Sequence, residues 1–236
     1  MTDDFDPFGT PTETLLEDVG MVDANPHAIV SLCDQGSQAW FGVRLGIPTA
    51  SHAELIVTPT GKAATGQGRQ SYINGLVAER LTGSIEMQHD TPAMERGRNL
   101  EPQARAWYEF ETGRKVVEVG FVYRDADKTA GASPDGLVVG ECGGIEIKCL
   151  MRRAHVGALL AGAPPKEYRP QVQFCLWTTG AAWWDFVLFT PEPELPSRIW
   201  RVLPDETAQA VLDERVPAMV AEIDAAVAQL RGGEGD

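Results

Sequence analysis

Ser133-Pro134-Asp135-Gly136-Leu137-Val138-Val139, a turn of Gly140-Glu141-Cys142-Gly143-Gly144, and then Ile145-Glu146-Ile147-Lys148-Cys149 read as a hairpin. Its two short apolar strands run from Leu137 to Val139 and from Ile145 to Cys149. Side chains two apart on a strand leave the same face. Glu146 and Lys148 therefore share one patch, Ile147 points the other way into packing, and Asp135 enters the hairpin at its open end, near Lys148. An exposed Glu-x-Lys is often only a surface ion pair of little energetic worth. A charged cluster at the seam of two apolar strands, by contrast, is costly unless it binds something. Two carboxylates, a backbone carbonyl and water suit Mg²⁺, and a neighbouring lysine can hold or polarise a water that attacks phosphorus. The chemistry indicated is phosphodiester hydrolysis.

Around the hairpin the chain alternates between strands and helices, the pattern of an α/β protein with a central sheet. Trp183 to Phe189 and Arg198 to Leu203 read as two more strands that extend the sheet, the second with clear alternation. From Ser71, the residues Tyr72, Ile73, Leu76, Val77 and Leu81 have helical spacing, which predicts a face buried under that sheet. Val172-Gln173-Phe174-Cys175-Leu176-Trp177 reads as a helix lining the core. Leu212, Val216, Met219, Val220, Ile223, Val227 and Leu230 mark an amphipathic C-terminal helix kinked at Pro217, with either core packing or an oligomer contact on its apolar face. Gly61 to Arg69 lacks the spacing of a nucleotide phosphate loop and is expected to be a mobile loop near DNA.

At 236 residues and 43% apolar, the chain can bury a core as one domain, expected over 26–236 after a flexible acidic arm at 1–25. No apolar run approaches a membrane span, and Met1-Thr2-Asp3-Asp4 is acidic where a secretory signal would be basic, so a cytoplasmic location is expected. Cys33, Cys142, Cys149 and Cys175 are scattered, which indicates buried thiols and argues against zinc, disulfides or an iron–sulfur cluster. His27, His52, His89 and His155 are isolated from one another. The net charge of −14 opposes nucleic-acid binding, which draws affinity from cations meeting phosphates. Its distribution removes that objection: residues 1–40 hold eight acids and no Lys or Arg, 41–190 hold sixteen of each sign, and 191–236 hold ten acids against four bases. Arg96, Arg98, Arg105, Arg152, Arg153, Lys166 and Arg169 flank the proposed site in sequence, so DNA stays admissible.

Arg96-Gly97-Arg98-Asn99-Leu100-Glu101, Phe110-Glu111-Thr112-Gly113, Tyr123-Arg124-Asp125, Ser133-Pro134-Asp135-Gly136-Leu137, Glu146-Ile147-Lys148-Cys149, Gln171-Val172-Gln173 and Trp177, with Ala39-Trp40, Arg44-Leu45-Gly46 and Thr49-Ala50-Ser51 upstream, resemble the family of bacteriophage lambda exonuclease and the YqaJ-type viral recombinases. The resemblance spans roughly Gln38 to Thr190 in one order. It implies a restriction-endonuclease-like core of the PD-(D/E)xK type, a mixed central β-sheet flanked by helices, with a C-terminal helix. It further implies Mg²⁺, or Mn²⁺ in its place, 5′-to-3′ digestion of one strand of linear double-stranded DNA to leave 3′ overhangs, a single-strand annealing protein as partner, and a ring-shaped trimer whose basic wall encircles the duplex. By position, Asp135, Glu146 and the carbonyl of Ile147 would ligate the metal, Lys148 would serve the attacking water, and Glu101 would add a carboxylate from a helix. Arg44, Ser51, Ser133 and Gln171 fall where the family grips the terminal 5′ phosphate.

Other readings of these residues stand beside the resemblance. Arg44 could pair with an acid; Ser51 could cap a helix from His52 to Thr58, with or without an anion at that helix end; Gln171 and the weaker candidate Gln173 could be buried and satisfied locally. Thr91-Pro92 opens a helix that Gly113 closes, and Pro102 predicts a kink or break near Leu100, which either aims Glu101 at the metal or makes it the start of a second helix. Alternative functions are a structure-specific or repair endonuclease of the same superfamily, and a catalytically silent DNA-binding recombination adaptor. The acidic arm is a candidate docking segment for the annealing partner.

Overall fold

The computed structural model describes residues 24–86 and 91–232. The expected acidic arm lies outside the described residues as far as Asp23, and so does His89; Asn25, at the arm's expected end, is buried and donates to the carbonyls of Arg124 and Thr178, both at 2.9 Å.

A five-stranded mixed sheet forms the centre, in the order β2 (Val116–Val117), β5 (Gly136–Val138), β6 (Gly143–Lys148), β7 (Trp183–Leu188) and β8 (Arg198–Val202). The hairpin expected from the glycine-rich turn is β5–β6, antiparallel, with Gly136 opposite Ile145 and Val138 opposite Gly143. β6 and β7 are parallel, with Glu146 opposite Phe186. A parallel pair needs a long crossover, and two helices supply it: α4 (Arg152–Ala161) and α5 (Arg169–Thr179). All six residues of β7 are buried because both faces of the sheet are covered. Trp184, Phe186 and Leu188 face a core shared with Val172, Phe174 and Leu176 of α5 and with Leu212, Met219 and Ile223 of the C-terminal helix α6 (Glu206–Gly232). Trp183, Val187 and Phe189 face Ala104 and Tyr108 of α3 (Pro92–Thr112), together with Ile145 and Ile147.

α3 runs as one element through Pro102, so the alternative of a break there, with Glu101 beginning a second helix, is not realised; α6 runs through Pro217 as one element. Pro102 has no N–H to offer the carbonyl four residues back. Buried Ala104 and Tyr108 hold the next turns on the sheet, and the Tyr108 hydroxyl donates to Asp185 Oδ2 on β7 at 2.8 Å. Thr91 caps this helix by accepting from Met94 N–H, and Gly113 ends it at φ 70°. α2 (Gln67–Thr82) buries Ile73, Leu76 and Val77 but, contrary to the expected place under the sheet, packs chiefly on α6. Gln67 to Arg69, expected in a loop, form its first turn. Of the four cysteines, Cys149 and Cys175 are buried, while Cys33 and Cys142 are only partly so.

A small antiparallel sheet had no counterpart among the expected elements: β1 (Ile29–Ser31), β3 (Phe121–Tyr123) and β4 (Gly131–Ala132). It carries α1 (Gln38–Arg44), whose Val43 packs on Phe121 and Tyr123 and whose Val43 carbonyl accepts the Tyr123 hydroxyl at 2.8 Å. On the other side β4 holds the segment after Pro48, through Gly131 N–H to the Pro48 carbonyl at 3.1 Å.

Gly143 and Gly144 let the tryptophans of β7 lie across β6: a Cβ on Gly144 would come within 2.4 Å of the Trp184 ring. Trp184 is fully buried, so the ring has nowhere to move. Gly144→Ala is expected to cost about 1–3 kcal/mol by overpacking, read as a lower urea midpoint at unchanged m-value.

Candidate active site

β6 delivers Glu146 and Lys148 to one face, with Lys148 Nζ 2.5 Å from Glu146 Oε1. Ile147 turns to the opposite face, among Ala104 and Tyr108. Asp135 immediately precedes β5, and its Oδ2 accepts the Ile147 N–H at 2.5 Å, so the three polar residues meet at the end of the hairpin. This is no surface ion pair: Glu146 is 0% exposed. Among the described residues Glu146 Oε2 has no hydrogen-bond partner, and Oε1 meets the lysine as an ion pair without an aligned hydrogen bond. Burial first, and then the nearby Asp135, push the Glu146 carboxyl up to about 7 against the pull of Lys148. Burial also raises Asp135, against Lys148 and the Ile147 N–H. For Lys148, burial alone would lower the ammonium, but Glu146 and Asp135 outweigh it and hold the group above its ordinary value.

Glu101 reaches this cluster from α3. Burial and the Asp135 charge push it up to about 7, against Arg105 and Lys148. Among the described residues no three His, Cys, Asp or Glu side chains already form a closed metal cage. The donors present are hard oxygens, one of them buried and orphaned, which fits a cation that keeps several waters, as Mg²⁺ does. Three further residues belong to the cluster. Tyr168 lays its ring 5.1 Å from Lys148 Nζ. Arg105 binds Glu101 and the Asp135 carbonyl, and Glu118 meets Arg105 from the loop after β2. The sequence signal for Arg105 is its spacing of one helical turn from Glu101; of the cations that flank the site in sequence, it is a buried one.

Beside this cluster lies a fork of donors with the chemistry to take an anion. Arg44, the last residue of α1, donates to Ser133 Oγ at 3.2 Å and to Ser51 Oγ at 3.0 Å. Trp40 supports both the arginine and Ser133, with its ring 4.0 Å from the guanidinium and its Nε1 donating to Ser133 Oγ at 2.8 Å. Burial draws the Arg44 guanidinium down to about 10, against Tyr72 and Glu79, and it remains a cation at neutral pH. Among the described residues no carboxylate lies within ion-pair distance of Arg44, so the pairing with an acid is not seen. Ser51 does not cap a helix: it sits inside the short 3-10 helix Ala50–Leu55, after Thr49, with His52 Nδ1 3.4 Å from its hydroxyl.

Gln171, in the first turn of α5, is half-buried and stands outside the hydrogen bonds that join Arg44, Ser51 and Ser133. Gln173 is structural: it donates to the Leu203 carbonyl at 2.9 Å and accepts from Asp205 N–H at 2.8 Å. Among the flanking cations, Arg152 binds Glu192 at 2.5 Å and Arg169 binds Asp205 at 2.6 Å. No helix of the described residues is long and apolar enough to cross a membrane.

The family model of the YqaJ-like viral recombinase domain matches residues 39–182, a span that contains the anion fork, the acid pair and Lys148. The chain is similar to the crystal structure of an alkaline exonuclease (LHK-Exo) from Laribacter hongkongensis, at 37% identity and TM-score 0.75, covering 84% of this chain and 97% of that one. The figures are the same for LHK-Exo in complex with dAMP. A phage-related exonuclease from Haemophilus somnus 129PT shares the fold at 17% identity and TM-score 0.55, over 78% of this chain and 96% of that one. No curated protein matches. With the family's span covering the hairpin, the fork and the helices that carry them, the chain belongs to the YqaJ-like viral recombinase domain family.

Proposed function

We propose that the protein is a Mg²⁺-dependent 5′-to-3′ exonuclease that digests one strand of linear double-stranded DNA and leaves 3′ overhangs for phage-type recombination. The observation that carries this reading is the short link between the two sites: Ser133, in the Arg44 fork, and Asp135, on the Ile147 N–H, are separated by Pro134 alone. Two residues of extended chain span at most about 7 Å, the scale of a single nucleotide. A terminal phosphate seated in the fork would therefore bring the adjoining linkage to the acid pair, and the fixed φ of Pro134 stiffens the spacer. Similarity to LHK-Exo, an exonuclease solved with dAMP, supports release of single nucleotides.

Asp135, Glu146 and the Ile147 carbonyl would hold Mg²⁺, or Mn²⁺ in its place, with Glu101 as a further carboxylate. A bound divalent cation supplies Lewis-acid polarisation and a more acidic water. Lys148, fixed between Glu146 and the Tyr168 ring, stays charged among acids, so it orients the attacking water as a donor and does not take its proton. Arg44 and the two serine hydroxyls offer a planar cation and turnable donors to a phosphate. Gln171 is the outer member of that set. A ring-shaped trimer and a single-strand annealing partner complete the reading.

Linear duplex with 5′ phosphates is expected to be degraded rapidly in Mg²⁺, slowly without those phosphates, and not at all in chelator; closed circles stay intact on a gel. Arg44→Ala is expected to erase the difference between phosphorylated and unphosphorylated ends. Lys148→Ala is expected to lower the single-turnover rate about 10²–10³-fold, the usual loss when one preorganised charged donor is removed. Glu101 and Glu146 titrate near 7 and must be ionised to hold a cation. At limiting Mg²⁺ the rate should therefore fall as pH drops through about 7, and raising Mg²⁺ should move that midpoint to lower pH; a midpoint that ignores Mg²⁺ contradicts the assignment.

A further inference from the structure

Arg105 is 8% exposed and divides its guanidinium among three separate segments. Nε donates to the Asp135 carbonyl at 3.0 Å, one terminal nitrogen meets Glu101 Oε1 at 2.8 Å, and the other meets Glu118 Oε1 at 2.5 Å. The first bond fixes the main chain from which the Asp135 carboxylate hangs. The second fixes the rotamer of Glu101, one helical turn earlier on α3. The third anchors the guanidinium from outside, since the Glu118 side chain is 70% exposed. A planar fork can serve three acceptors at set angles, which an ammonium cannot.

We propose that Arg105 is a positioning residue for the divalent-cation site: it holds the Glu101 carboxylate and the Asp135 main chain in one geometry and touches neither cation nor DNA. The proposal rests on reading the acid cluster as a cation site. An arginine with only a structural role would, when replaced, lower stability by unpairing buried charge and leave cation affinity unchanged in the folded variant. A group that orients ligands from behind changes the affinity itself, typically about 10–100-fold.

The test is Mn²⁺ binding to the DNA-free full chain by isothermal titration calorimetry, with the melting temperature of each metal-free protein measured alongside. Arg105→Met is expected to raise the Mn²⁺ Kd about 10–100-fold, and Arg105→Lys, which keeps the charge and loses the fork, to raise it less. Folded Arg105→Met that binds within about twofold of the parent overturns the proposal, whatever its melting temperature, because a real outer-layer role moves affinity by an order of magnitude. If Arg105→Met does not fold, Arg105→Lys decides: a Kd raised about threefold or more supports the role, and an unchanged one overturns it. A parent that binds no Mn²⁺, or binds it equally after Asp135→Asn, brings down the cation-site reading and the positioning role with it. That result is distinct from a parent that binds at Asp135 and an Arg105 variant that binds as well.

Discussion

The bond from the Ile147 N–H to Asp135 Oδ2 joins the two strands of the hairpin at the point where like charges accumulate. Without it Asp135 would be free to turn to solvent, and Glu146 would be a lone buried acid beside its lysine. With it, two carboxylates share a poorly solvated corner, and neither carries its charge at the ordinary cost. Lys148 and Arg105 offset part of that cost for Asp135, and Lys148 does so for Glu146. What remains is an oxygen of Glu146 with no hydrogen-bond partner among the described residues, and in a low-dielectric setting such a group is costly to keep. The glycines opposite the tryptophans serve the same end, since they leave over β6 the room that the Trp183 and Trp184 rings fill.

The net charge takes on a different meaning once the acids are placed. Part of the C-terminal acidity ties α6 to its neighbours: Glu222 to Arg69 and Asp224 to Arg80 on α2, and Asp205, just before α6, to Arg169 on α5. Such pairs at the surface contribute little stability; the buried row from Leu212 to Val227 does that. Their effect is to draw arginines of α2 and α5 into internal pairs. Arg44 is left as a partly desolvated cation whose hydrogen bonds run to hydroxyls, which is a better place for a phosphate than a field of surface lysines would be.

The hairpin and its Glu-x-Lys face can be read from the sequence because strand periodicity and a glycine-rich turn are local signals. The rest of the candidate site depends on long-range pairing that leaves no local trace. Ser51 and Ser133 meet only because Gly131 accepts the segment after Pro48 as a neighbour, and β3 and β4 are three and two residues long, too short for any alternation to show. Arg105 misleads for a related reason: a charge on a helix reads as solvated unless its partners are known, and two of them, Asp135 and Glu118, lie on other segments. Gln173 is ambiguous in sequence because its acceptor and donor, the Leu203 carbonyl and the Asp205 N–H, lie some thirty residues on, just before α6.

Pro102 shows how the aim of Glu101 is set. A proline directly after a candidate ligand points to a kink that aims the carboxylate or to a break that starts a second helix, and α3 continues through it as one element. The helix is held from its far end: Tyr108 donates to Asp185, which Arg201 grips at 2.9 and 3.0 Å, and Glu109 accepts the Val116 N–H at 2.8 Å. These contacts fix the axis of α3 against the sheet two turns beyond the proline. With the axis fixed, the direction of Glu101 is decided by side-chain contacts, and its hydrogen-bond partner is Arg105. Pro102 brings no N–H to the helical ladder, and the guanidinium one turn on holds the Glu101 carboxylate by a direct hydrogen bond.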